Sequence, residues 1–116
     1  NGKIMKEKLL SYKPKKIEND EVKYIYEDNK IVVIYPKKFG KIEKWVKSRI
    51  GGTEEIRRPL DKFTTFIWEK FDGRNNIAQI ISKFDEQFGE EVAPADVRVQ
   101  KFIKQLLELN LITLNP

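Results

Sequence analysis

The segment Leu60-Asp-Lys-Phe-Thr-Thr-Phe-Ile-Trp-Glu-Lys-Phe-Asp-Gly73 decides how this chain folds. Phe63, Phe66, Ile67 and Phe71 recur at helical spacing and so share one side of a helix. Asp61 stands at the N-cap position, where its carboxylate accepts from the first unbonded N–H groups. Asp72-Gly73 then closes the helix, because glycine enters the left-handed region without a Cβ clash. The residues before this helix read as strands and basic connectors. Those after it read as two more helices, each needing a face to pack on.

Downstream, Ile77, Ile80, Ile81, Phe84 and Phe88 predict a second helix, capped by Asn75 or Asn76 and ended by Gly89. Pro94 opens a third helix that runs to Leu109-Asn110, with Val99, Phe102, Ile103 and Leu106 as its inward stripe. Leu111 to Leu114 reads as a last extended segment.

Upstream, Val22, Tyr24 and Tyr26 alternate with Lys23, Ile25 and Glu27, the period of a strand. Asp28-Asn29 is a two-residue turn of types that tolerate positive φ. Ile31 to Tyr35 is apolar on both faces, which predicts a central strand. The tyrosines read as core and hairpin packing rather than a stacking platform for bases. Lys37 to Ile50 places Ile42, Trp45, Val46 and Ile50 on one side of an amphipathic helix, ended by Gly51-Gly52. Packing over the sheet suits that helix better than lying on a membrane surface. Glu55 to Leu60 reads as a third strand with Ile56, Arg58 and Leu60 on one face and Arg57 on the other. Pro59 has no N–H to donate, so this strand belongs at a sheet edge. Residues 1–20 are lysine-rich and poor in apolar groups, and read as a basic, poorly ordered tail with a helical turn near Leu9. The domain proper is then 21–116. The fold class expected is α+β: a three-stranded antiparallel sheet followed by three helices, in a winged helix-turn-helix arrangement.

Composition narrows the chemistry. The 116 residues suffice for one domain, and no apolar run approaches the roughly 20 residues of a membrane span. There is no cysteine, which fits a cytoplasmic protein and rules out disulfides and thiolate chemistry. There is no histidine, so imidazole metal sites and Ser-His-Asp triads are impossible. Asp61, Asp72 and Asp96 look like capping and turn residues, and no phosphate loop is present. We therefore expect no catalytic residue, no cofactor and no metal. The net charge is +5, and two basic stretches stand out, residues 37–58 at +5 and 97–116 at +2.

The order Leu60-Asp61, Phe66-Ile67-Trp68, Phe71-Asp72-Gly73, Ile77 to Phe88-Gly89, Ala95-Asp96-Val97, Phe102, Leu106 and Leu111-Ile112 resembles the PqqD-like family. These are peptide-chaperone domains also called RiPP recognition elements. The resemblance spans about residues 20 to 114. It implies a winged helix that does not read DNA. Such a domain holds the leader of a precursor peptide and presents it to a modifying enzyme, often a radical S-adenosylmethionine enzyme. The leader adds as a strand to the sheet edge, beside the third helix. Carried onto this sequence, the groove is Ile56, Arg57 and Arg58 on one side and Val97, Lys101 and Lys104 on the other. These are positional matches. Two features depart from compact members: a longer connector from Pro36 to Thr53, and Pro59, which confines pairing to Glu55 to Arg58.

The alternative is a winged-helix nucleic-acid binder. Its third helix would offer phosphates only Arg98, Lys101 and Lys104, while Asp85, Glu86, Glu90 and Glu91 nearby would repel them.

Overall fold

The computed structural model describes residues 8–17, 21–37 and 55–116. It is α+β and divides into two compact units: residues 18–61, and residues 1–17 together with 62–116. The amphipathic helix expected over Lys37 to Ile50, with Trp45 and the Gly51-Gly52 stop, lies beyond Lys37 outside the described residues.

The first unit is a three-stranded antiparallel sheet of strands β2 (Lys23–Glu27), β3 (Lys30–Pro36) and β4 (Glu55–Pro59), in the order β2-β3-β4. Asp28 and Asn29 make the hairpin turn with φ of 52° and 64°. Two consecutive positive φ values match the right-handed twist of the flanking strands. β3 is central, as its sequence predicts, and Ile31, Val32, Val33 and Tyr35 are buried. Because neighbouring side chains alternate between faces, that run is buried on both.

One expectation fails here. Tyr24 and Tyr26 are not core residues: they are 45% and 57% exposed, and Ile25 beside them is 39% exposed. The reason is position. β2 pairs with β3 on one side and with no other strand among the described residues. An edge strand has neighbours to pack its side chains on one flank only.

The second unit holds α1 (Lys62–Glu69), α2 (Ile77–Phe88), a 3₁₀ turn over Gly89–Val92, and α3 (Ala95–Glu108). Gly73 follows α1 at φ 75°. Asn76 caps α2 in a reciprocal box: its Oδ1 accepts from the Gln79 N–H at 2.8 Å, and Gln79 Oε1 accepts from the Asn76 N–H at 2.8 Å. Two of the four orphan donors at the helix start are satisfied this way. Asn110, at φ 57°, ends α3. The Leu111 N–H bonds back to the Leu106 carbonyl at 2.9 Å and the Asn110 N–H to Leu107 at 3.0 Å. That is the double bond pattern of a Schellman stop. Ile67, Trp68, Phe71, Ile77, Ile80, Phe84, Val99, Phe102, Ile103 and Leu106 form the core. Phe71 stacks on Phe102 with ring centroids 6.2 Å apart, and Trp68 meets Phe71 edge-on at 6.1 Å. Such pairs add about 0.5–1.5 kcal/mol each beyond the area they bury. Phe63, Phe66 and Phe88 are only half-buried and form a second aromatic group with Phe84.

The largest correction concerns the expected tail. The helical turn expected near Leu9 is present at residues 8–10, but Lys13–Lys16 is a strand, β1, paired antiparallel with β5 (Ile112–Asn115). On its other side, the Pro14 carbonyl accepts from the Gly73 N–H at 2.9 Å, and the Lys16 N–H donates to the Phe71 carbonyl at 3.4 Å. The Tyr12 carbonyl accepts from the first residue of α2, Ile77, at 3.0 Å. Strand-then-helix order therefore does not describe the chain, because its N-terminal segment is part of the helical unit. Composition suggests disorder for a segment with few apolar residues. Here its main chain supplies the stabilising contacts, which composition does not weigh.

Candidate functional site

β4 is short, basic and carries a proline, and its register with β3 fixes where each side chain points. Val33 lies opposite Arg58, Ile34 opposite Arg57 and Tyr35 opposite Ile56. Ile56 and Arg58 thus share a face with Val33 and Tyr35, and both are half-buried. Arg57 projects from the opposite face and is exposed.

The two arginines have different surroundings. The Arg58 Nε–H donates to the Tyr35 hydroxyl at 3.1 Å, a diagonal contact on one face of the sheet. The Arg57 guanidinium donates to Glu27 Oε1 on β2 at 2.7 Å, with both side chains about half exposed. An exposed pair of this kind contributes roughly 0.2–1 kcal/mol.

No strand covers the outer side of β4 among the described residues. Pro59 at its end is exposed, as an edge proline should be. The edge position predicted from Pro59 holds.

Val97, Lys101 and Lys104 belong to the helical unit. Their spacing sets them along one side of α3, and all three are exposed, Val97 at 55%. The opposite stripe, Val99, Phe102, Ile103 and Leu106, is buried.

The sequence reading missed the Tyr35 hydroxyl as a partner of Arg58. The signal was available: a hairpin turn at 28–29 sets the phase of β3, and a tyrosine in phase with an arginine on the next strand shares its face. The expected placement of Arg58 and Arg57 on opposite faces holds.

Asp72 behaves as the turn residue its position beside Gly73 predicts. Its carboxylate accepts from the Arg74 and Asn75 N–H groups at 2.8 and 3.0 Å, and from the Asn75 side chain at 3.1 Å. Burial works to raise its pKa, but these hydrogen bonds outweigh that and hold the carboxyl below its ordinary value. Among the described residues no group of three or more acidic side chains gathers as a metal site, and no helix is long and apolar enough to cross a membrane.

The model of the family described as coenzyme PQQ synthesis protein D (PqqD) matches residues 57–112. No curated protein and no solved structure matches the chain. The matched span starts at Arg57 in β4, takes in all three helices and ends at the first residue of β5. This match, from Arg57 to the close of the helical core, supports assigning the chain to the PqqD-like family.

Proposed function

We propose that the chain is a non-catalytic peptide-binding module. It captures the leader of a ribosomally made precursor peptide by strand addition and presents it to a modifying enzyme, such as a radical S-adenosylmethionine enzyme. Members of the PqqD family are non-catalytic accessory proteins that bind a precursor peptide and partner enzymes. The arrangement is a winged helix whose helical unit includes Lys13–Lys16, and the residues assigned to the peptide-binding groove are Ile56, Arg57, Arg58, Val97, Lys101 and Lys104.

The observation that carries this reading is the outer edge of β4, which no strand covers among the described residues and whose Arg57 to Pro59 fall in the family-matched span. An edge strand offers a row of main-chain donors and acceptors at fixed spacing. An extended peptide satisfies that row whatever its sequence, and flanking side chains add selectivity. Arg57 and Arg58 on this strand steer an acidic or mixed leader, chiefly by raising the association rate.

The test is a titration of isotope-labelled protein with the leader of its partner precursor peptide. Amide shifts are expected at residues 55–58 and 97–104. Shifts that avoid both stretches would sink the assignment. Arg58→Glu should weaken an acidic leader more than Lys83→Glu, since Lys83 on α2 bonds Asn75 in the helix-capping loop, outside this groove.

A further inference from the structure

We propose that Arg58, and not Arg57, reads an acidic side chain on the captured peptide, and that the peptide's main chain pairs with Arg57. This rests on the strand-addition reading above and adds a register and a ligand chemistry to it.

The register derives from the hairpin. A two-residue turn makes its flanking residues, Glu27 and Lys30, a hydrogen-bonded pair. Bonded pairs then recur at every second residue. Lys30, Val32 and Ile34 direct their N–H and C=O groups to β2, whereas Ile31, Val33 and Tyr35 direct theirs to β4. The Leu60 N–H, which donates to the Ile31 carbonyl at 2.7 Å, has this phase. On β4, therefore, Ile56 and Arg58 spend their main-chain groups inward on Tyr35 and Val33. Glu55, Arg57 and Pro59 turn theirs outward.

Because Pro59 sits in an outward-facing position, its missing N–H costs the sheet no internal bond. It instead removes a donor that a visiting strand would use, and ends the ladder on that side. Arg57 is left with both a donor and an acceptor at the middle of the open edge.

A peptide residue paired with Arg57 puts its own side chain on the Arg57 face. Its two neighbours fall on the other face, one beside Ile56 and one beside Arg58. Arg57 is already neutralised by Glu27 at 2.7 Å. Arg58 has its Nε–H on an uncharged hydroxyl, and no ion pair to it is present among the described residues. Its terminal amino groups can take a carboxylate in a charge-assisted bond. The peptide that fits has an acidic and an apolar residue flanking the residue paired with Arg57, acid first for an antiparallel strand and apolar first for a parallel one.

The test pans a displayed library of short random peptides against the intact chain, then measures binding and amide hydrogen exchange with the selected peptides. Enrichment of an acid and an apolar residue at alternate positions is expected. Glutamine in place of the acid should weaken binding about tenfold. That dependence should vanish in Arg58→Gln, persist in Arg57→Gln and return in Arg58→Lys, with circular dichroism as the check that each variant is folded. The Arg57 amide should gain protection on binding, while the Ile56 and Arg58 amides are protected already. An acid preference that survives Arg58→Gln, or is lost only with Arg57→Gln, overturns this inference and leaves strand addition standing if the Arg57 amide is still protected. No selected peptide, or none that protects Arg57, overturns strand addition and this inference together.

Discussion

Compare β1, Lys13-Pro14-Lys15-Lys16, with β4, Glu55-Ile56-Arg57-Arg58-Pro59. Both are short, both are basic and each holds one proline. In β1 the main chain is used on both sides. The Ile17 N–H bonds the Leu111 carbonyl at 3.0 Å and sets the phase toward β5, so Lys13 and Lys15 face that strand. Pro14 and Lys16 face the loop after α1, and Pro14 is buried. In β4 only one side is used among the described residues, and Pro59 is exposed. Two similar stretches therefore have opposite roles. One closes a structure, and the other leaves half its hydrogen-bonding capacity for something else.

The sharpest way to break this comparison is to place a proline at the equivalent point of each strand. Lys15 faces β5, so Lys15→Pro removes a ladder donor and leaves the Thr113 carbonyl unpaired. A loss of about 1–3 kcal/mol is expected in urea unfolding. Arg57 faces outward, so Arg57→Pro takes nothing from the internal ladder. Its stability loss should be limited mainly to the Glu27 pair, about 0.2–1 kcal/mol, while peptide capture is abolished. Equal destabilisation by the two variants would mean that β4 is not open.

Gly73 probes the closed side of β1. It sits at φ 75°, and a Cβ there would lie 3.3 Å from Lys15 Cδ. Gly73→Ala should cost about 1–2 kcal/mol from the left-handed backbone, with a little more from the lysine stem. Thermal unfolding would measure it, and peptide binding at β4 should be unchanged. A smaller effect is expected for the Arg57–Glu27 pair. A double-mutant cycle to alanine should give a coupling of about 0.2–1 kcal/mol that shrinks as salt is added.

The smallest effect concerns Asp72, which pairs across with Lys15 in an isolated bridge. Its folded pKa lies below the ordinary carboxylate value of 3.8. A depressed carboxyl contributes stability that is present above the unfolded pKa and lost as pH falls through the folded one. Unfolding monitored from pH 5 downward should show that loss below about pH 4. Asp72→Asn should flatten it, and an unchanged acid limb in the variant would remove Asp72 as its source.

Much of the fold could be read from the residues. Asn76 with Gln79, Gly73, Gly89 and the Asp28-Asn29 turn are local devices. Their geometry depends on neighbours a few positions away, so sequence spacing is enough to place them. The inward stripes of α2 and α3 come from periodicity for the same reason. The exposure of Tyr24 and Tyr26 could not be read in this way, because it depends on which strand lies beside β2. The candidate edge was half legible: Pro59 marked it, but the separate surroundings of Arg57 and Arg58 required the register.

By itself, then, the sequence determined the three helices and the strands β2 to β4, most of their caps and stops, and the absence of imidazole and thiol groups from these residues. Only the tertiary structure decided that Lys13–Lys16 pairs with Ile112–Asn115, nearly a chain length away, and that Glu55–Pro59 is left without a second neighbour among the described residues. The physical reason is that a main-chain N–H or C=O carries no side-chain signature. Which of these groups find partners is settled by long-range pairing, and that pairing also determines where this protein has an edge free to bind.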